Sequence, residues 1–307
     1  MSVSPENSLL VDIGGTNFRS AVASIGSSEI QFAKKESLDC LKNFDEIIGG
    51  IIDQYGPIEH AVFSVAGPKI NNSISMTNRE FHIDADEVKN KFNLKSCHLL
   101  NDWEAIGFSL HTTKPEEIKY IQQGEGFNNT SLMLGPGTGL GAAFISDNVI
   151  FPTEVGNTTF LFSKVFEGLE LNGNRFDVLE DVLSGAGIAF IHESITNKKM
   201  TPEEVVSLAT NKDPEALKAI SIFIDALARI LSDLALTYMP GKGIFMAGGL
   251  IRTLYSFIDQ ERFMSEFKDL RKPTHAHLLS RIPVGIIMRE MTCLYGNLAF
   301  LNSQFKS

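Results

Sequence analysis

Three glycine-rich turns and a few carboxylates are the residues of this chain whose types and spacing could do chemistry. Gly14-Gly15-Thr16-Asn17 follows the apolar run Ser8–Ile13, and strand character resumes at Phe18–Ile25, so the glycines turn a hairpin. Glycine lets the backbone approach a ligand closely, and successive N–H groups in such a turn form a concave anion site. Thr16 and Asn17 add side-chain donors. Asp12, at the strand's end, is placed to orient a Mg2+ ion through water, because that ion takes one or two carboxylates together with phosphate oxygens. The same residues would also suit a plain hairpin with a capping aspartate.

Gly135–Gly141 (GPGTGLG) is the second turn. With Ala142 it contains a literal G-x-G-x-x-A, but that dinucleotide fingerprint needs a helix directly after the turn. Ala142–Ile150 reads as extended and Pro152 follows, so a strand–turn–strand phosphate clamp fits better. No G-x-x-x-x-G-K-[ST] occurs, which excludes a P-loop enzyme. Gly248-Gly249 closes the apolar run Ile244–Ala247. It would let an adenosine lie against backbone, or simply make a tight strand-to-helix turn.

Asn101-Asp102 ends the run Cys97–Leu100, and the C-terminal ends of strands are where α/β ligand crevices open. An aspartate is ionised at neutral pH without tuning, as a general base for a sugar hydroxyl must be. The alternative is an Asp102 N-cap for the helix Trp103–Leu110, and the two roles are compatible. Glu154, in PTEVGN, and Glu180, just before a helix start, could each accept two hydrogen bonds from vicinal hydroxyls, or be solvated surface acids. His275-Ala276-His277 reads as a solvated Lys/Pro-rich loop rather than a metal pair.

The elements that must position these residues alternate. Short apolar runs broken by glycine read as buried strands, and amphipathic helices lie between them. Phe44–Gln54 puts Ile47, Ile48, Ile51 and Ile52 on one stripe, and Ala85–Phe92 is a shorter helix. Thr201-Pro202-Glu203 and Asp213-Pro214-Glu215 are helix starts, the second running to Tyr238 and stopped by Pro240-Gly241. The class is α/β. A polar stretch at His111–Lys114 separates two strand-rich halves, each opening with strand, Gly-Thr turn and strand, which hints at internal duplication.

Composition narrows the partners. The 307 residues carry 27 Lys plus Arg against 37 Asp plus Glu, a net charge of −10, which argues against nucleic acid or an anionic membrane. Three scattered cysteines exclude a disulfide framework and suit a reducing compartment. The N-terminus lacks a signal-peptide pattern and no run of about 18 apolar residues occurs, so a cytoplasmic location is expected.

Taken in order, these segments resemble bacterial glucokinases of the hexokinase/actin-like ATPase superfamily over nearly the whole chain. VDIGGTNFRSAV (11–22) resembles their first phosphate loop, and VAGP…MTNREFHID (65–84) a sugar-contacting segment. LLNDWEAIGFSL (99–110) is similar to their catalytic-aspartate strand and helix. KPEEI…GPGTGLGAAF resembles the second phosphate loop. VLSGAGI (182–188) and IFMAGGL (244–250) resemble the later segment and adenosine motif.

The resemblance implies a two-domain actin-like ATPase (ribonuclease H-like) fold with an inter-domain cleft. Residues 1–110 with 288–307 would form a small domain and 111–287 a large one, the helix Met288–Leu301 returning to the small domain. It implies ATP-dependent phosphorylation of glucose at O6 by a homodimer. Asp102 would be the base. Asn78, Asn101, Asp102, Glu154, Asn157 and Glu180 would bind the sugar. Val11, Asp12, Ile13, Gly14, Gly15, Thr16 and Asn17, with Gly137, Thr138 and Gly139, would bind the ATP phosphates. Asp12 would reach Mg2+ through water, and Gly248 and Gly249 would back the adenosine. The Cys/His motif of ROK-type sugar kinases is absent, so no structural zinc is expected. One departure bears on specificity. Where the family has Glu-Gly-Gly-His, this chain has Glu154-Val155-Gly156-Asn157, and an asparagine cannot carry positive charge. Mannose, glucosamine or an N-acetylated sugar is therefore an alternative substrate, and a sugar sensor with reduced catalysis an alternative function.

Overall fold

The computed structural model describes residues 6–76, 80–169, 171 and 175–305. The chain divides into two compact units, Met1–Thr113 with Met291–Ser307, and Lys114–Glu290.

The first unit is built on a sheet ordered β3-β2-β1-β4-β8. Strands β1 (Asn7–Ile13), β2 (Asn17–Ser24) and β3 (Gln31–Ser37) form an antiparallel meander. Helix α1 (Phe44–Tyr55) leads to β4 (Ile58–Val65), parallel to β1. The short strands β5 (Lys69–Ile70), β6 (Ser73–Ser75) and β7 (His82–Asp84) make a separate small sheet, and α2 (Ala85–Lys91) leads to β8 (Ser96–Asn101), parallel to β4. Helix α3 (Asp102–Ser109) follows without a loop.

Side chains alternate across a strand. Leu9, Val11 and Ile13 face α1 and α2, packing with Phe63, Ile48 and Val88. Leu10 faces the other way, with Val62, Ala105, Leu294, Leu298 and Leu301. The last three belong to the chain's final helix, which therefore covers the second face.

The second unit repeats this plan. Its sheet runs β12-β11-β10-β13-β14-β9. After β9 (Ile118–Gln122) come the antiparallel β10 (Thr130–Pro136), β11 (Leu140–Ser146) and β12 (Val149–Thr153). Helices α4 (Phe162–Val165), α5 (Leu179–Val182), α6 (Gly185–Thr196), α7 (Pro202–Thr210) and α8 (Pro214–Tyr238) precede β13 (Gly243–Met246). Then come α9 (Gly249–Leu254), α10 (Gln260–Met264), α11 (Pro273–Ser280) and β14 (Val284–Ile287). In both sheets a three-stranded antiparallel meander is followed by two parallel strands. Helix α8 has the expected Asp213 cap and Pro214 start, and buries Ile220, Phe223, Leu227, Ile230 and Leu231. No helix among the described residues is long and apolar enough to cross a membrane.

Two expectations are corrected. His275 and His277 lie on helix α11, not in a loop: Pro273 occupies the first helical turn, where its missing N–H costs nothing, instead of breaking the segment. The final helix, α12, spans Thr292–Gln304 rather than Met288–Leu301, because Met288 still donates its N–H to the Glu117 carbonyl and Met291 adopts a left-handed φ of 54°.

Helices α3 and α12 meet at Gly296, where a Cβ would overlap the Ala105 carbonyl oxygen. Gly296→Ala must therefore push the two helices apart. We expect a loss of about 1–3 kcal/mol, read by calorimetry as a fall in Tm of roughly 2–9 °C.

Candidate active site

In the first unit, register decides what comes together. Ile13 pairs with Val65, and Val65 pairs with Asn101. The ends of β1 and β8 thus stand at one level on either side of β4, two strand spacings or about 9–10 Å apart. The glycine turn after Ile13 and the carboxylate of Asp102 share one end of the sheet.

The turn itself is closed by the Gly14 N–H donating to the Asn17 carbonyl, 3.0 Å. Gly15 and Thr16 are exposed at its tip, and the Asn17 amide donates to Thr16 Oγ1, 2.8 Å. Val11 and Ile13 are fully buried and face the core, so what they offer a ligand is backbone. Asp12 is only 1% exposed. Its charge is met by Arg19, its cross-strand partner in the hairpin, at 2.5 Å from Oδ2, while the Ser64 hydroxyl lies 3.3 Å from Oδ1.

Asn101 caps α3. Its amide oxygen accepts from the Trp103 and Glu104 N–H groups at 2.9 and 3.3 Å, and Glu104 reaches back to the Asn101 N–H. The Asn101 amide nitrogen donates to the Gly67 carbonyl at 3.0 Å. Asp102 is therefore not the cap; it is the first helical residue, and its Oδ1 accepts from the Trp103 N–H at 3.0 Å. Cys293 of α12 points its sulfur at the Asp102 carbonyl, 3.9 Å away. Burial, then the charges of Asp12 and Asp102, push this thiol's pKa well above its ordinary value. Asn78 lies outside the described residues.

In the second unit, Leu134 pairs with Met246, which brings the turns after β10 and β13 to the same sheet end. The Gly137 N–H donates to the Gly139 carbonyl at 2.8 Å, and Gly185 donates to the Gly137 carbonyl at 2.9 Å. Gly248 has φ +122°, a backbone that side-chain-bearing residues rarely adopt. Gly137, Thr138 and Gly249 line one cavity of about 930 Å³. Its walls are mainly apolar, from α6 (Ala186, Ala189, Phe190), α7 (Val206) and Leu250. That combination of volume, apolar wall and anion-binding turn suits a nucleotide.

The remaining carboxylates gather under the same hairpin. Glu180 Oε2 accepts the Leu140 N–H at 3.4 Å and fills the place a Cβ at Gly139 would need. Glu154 opens a single 3₁₀ turn, Val155–Asn157, and the Asn157 amide lies 3.4 Å from Glu154 Oε2. Gly156 lies against the Leu140 carbonyl, where a Cβ would collide, and the Leu179 N–H donates to the Thr158 carbonyl at 3.0 Å. Leu140 thus connects Glu154, Asn157 and Glu180. Val155 is buried in the unit's core, which explains an apolar residue in a polar turn.

Sequence reasoning missed Arg19, Ser64 and the α6–α7 wall. Arg19 had a signal: counting back across the four-residue hairpin turn Gly14–Asn17 pairs it with Asp12. The wall showed only as small residues, Gly185, Ala186 and Ala189, at helical spacing. Among the described residues no three His, Cys, Asp or Glu side chains converge as a metal cage. Both Asp12 oxygens already have partners. This donor set fits a Mg2+ ion held chiefly by phosphate oxygens, with Asp12 reached through water.

Comparison with known proteins identifies the family. The family model described as Glucokinase matches residues 9–304. A glucokinase from Neisseria gonorrhoeae is 28% identical, over 97% of this chain and 96% of its own length. The crystal structure of a glucokinase from an Antarctic psychrotroph superposes with a TM-score of 0.80 at 24% identity, covering 97% of this chain and 99% of that one. That of a Balamuthia mandrillaris glucokinase in complex with glucose gives 0.79 at 20% identity, covering 98% and 95%. Two glycine turns on duplicated sheets, an aspartate after the last parallel strand of the first, and a match from residue 9 to 304 lead to one conclusion: the chain belongs to the glucokinase family.

Proposed function

We propose that this chain transfers the terminal phosphoryl group of ATP to the O6 hydroxyl of glucose, yielding glucose 6-phosphate and ADP. One observation carries the reading. The register of β1, β4 and β8 sets an anion-binding turn and a carboxylate side by side at one sheet end. The cavity beside Gly137 and Thr138 supports ATP as donor. The glucose held by the Balamuthia relative supports a hexose as acceptor.

In this reading the fold is of the two-domain actin-like ATPase kind, and closure of the small domain excludes water from the phosphoryl group. The Asp102 carboxylate accepts the O6 proton as that oxygen bonds to phosphorus. The bond from phosphorus to the bridging oxygen breaks and its electron pair leaves with ADP. The Gly14–Asn17 and Gly137–Gly139 turns hold the phosphate oxygens through the N–H groups that face outward, while those of Gly14 and Gly137 close the turns themselves. Mg2+, bound to those oxygens with Asp12 in its outer sphere, would neutralise charge on the transferring group. Glu154, Asn157 and Glu180 would take sugar hydroxyls, Glu180 with the oxygen not committed to Leu140. Asn78 and Asn101 would complete the sugar contacts. Asn157, standing where the family has histidine, favours a second reading in which another hexose is preferred.

Three outcomes test this. Asp102→Asn, which keeps the helix start, lowers kcat by about 10²–10⁴ in a coupled ADP-release assay, with ATP affinity within about twofold. Ala189→Phe fills the cavity and raises KM for ATP by more than about tenfold. The chain's one tryptophan, Trp103, still reports glucose binding in that variant by its fluorescence. Against a panel of hexoses, Asn157→His shifts the ranking of kcat/KM toward glucose; an unchanged ranking removes this loop as the selector.

A further inference from the structure

We propose that Ser64 and Asn297 are positioning residues that hold the Asp12 carboxylate from beneath, through a buried hydrogen-bonded relay running from α12 across β4 to β1. The proposal rests on the kinase reading above and concerns how the first phosphate loop is aimed.

Alternation along β1 puts Asp12 on the same face as Leu10, the face α12 covers. On β4 the same alternation puts Ser64 beside Val62 on that face. Asn297, in the middle of α12, is fully buried, and so is Ser64. The Asn297 amide nitrogen donates to the Val11 carbonyl at 2.8 Å and to Ser64 Oγ at 3.2 Å, with the Val62 carbonyl at 3.4 Å. Ser64 passes its single hydrogen on to the Val11 carbonyl and Asp12 Oδ1, each 3.3 Å away. Arg19 takes Oδ2 from the opposite side. Both carboxylate oxygens are thereby tethered, and the strand end that carries the glycine turn is tied to α12.

Stability alone does not account for Asn297. Its neighbours on the helix, Leu294, Leu298 and Leu301, form an apolar cluster that another leucine would extend. Two carbonyls beneath it force the amide nitrogen downward, so Oδ1 points away and has no partner among the described residues. A buried acceptor without a partner is a cost. What the residue gives in return is the hold on Ser64 and Val11.

The test compares Ser64→Ala, Asn297→Ala and their combination with Leu298→Ala, which loosens the same helix without touching the relay. Three quantities are read: the half-saturating free Mg2+ in the coupled assay, ADP affinity by calorimetry with Mg2+ and with EDTA, and Tm. Ser64→Ala removes one buried oxygen and leaves the fold intact. We expect Ser64→Ala and Asn297→Ala each to raise half-saturating Mg2+ about three- to tenfold and to shrink the Mg2+-dependent gain in ADP affinity by a similar factor, with KM for glucose within about twofold. The double variant should be no worse than the stronger single one, as members of one relay are not additive. Leu298→Ala should lower Tm while leaving the Mg2+ dependence unchanged. An unchanged Mg2+ dependence in Ser64→Ala, or an equal shift in Leu298→Ala, overturns the relay. A wild-type chain without hexose-dependent turnover would refute the kinase reading instead, and the calorimetry would still decide the relay.

Discussion

A carboxylate that is almost wholly buried at the end of a strand has to be compensated, and much of the first unit follows from how Asp12 is compensated. An uncompensated charge would cost more than a small sheet can supply. The hairpin register delivers Arg19 directly across from it. The neighbouring parallel strand delivers Ser64, and the final helix closes the face. The glycine turn that follows is therefore anchored on its strand side, although its tip is open. Anchored donors with an open tip are what an anion-binding loop needs, since donors that are already oriented need little reorganisation when charge arrives.

Parallel strands convert chain order into spatial order. Residues that follow β1 and β8, nearly ninety positions apart in the sequence, fall on one line because each strand's register passes through β4. The second unit uses the same device, and there the turns after β10 and β13 meet at the mouth of a cavity. Repetition of the meander-plus-parallel plan means that one piece of geometry is used twice: once beside an aspartate, once beside an apolar wall.

Much of this could be read from residue order. Gly14-Gly15 between two apolar runs forced a hairpin, and the Asp213-Pro214 start of α8 and its end near Tyr238 followed from capping chemistry. What could not be read depended on contacts distant in sequence. Which of Asn101 and Asp102 caps α3 is decided by the Gly67 carbonyl holding the Asn101 amide, thirty-four residues away. The stretch around His275 and His277 read as a Lys/Pro-rich loop, yet Pro273 starts a helix there, because a proline's effect depends on whether its missing N–H falls in a first turn. Val155 in the Glu154–Asn157 turn looked like a departure from pattern; it is a core residue whose neighbours lie on helices that local spacing does not reveal. Glu180 could be singled out as a carboxylate, but not its seat against Gly139, which is a matter of a missing Cβ.

The return of α12 to the first unit has a consequence for biosynthesis. The strands that bear Asp12 and Asp102 are made early, yet the helix that roofs them is made last. A ribosome-bound chain can complete its second unit, a continuous stretch, while the first still lacks a wall. Until α12 arrives, Leu10 and Val62 lack the apolar cover that Leu294, Leu298 and Leu301 give them, and the sheet end that bears Asp12 and Asp102 stays open on that face.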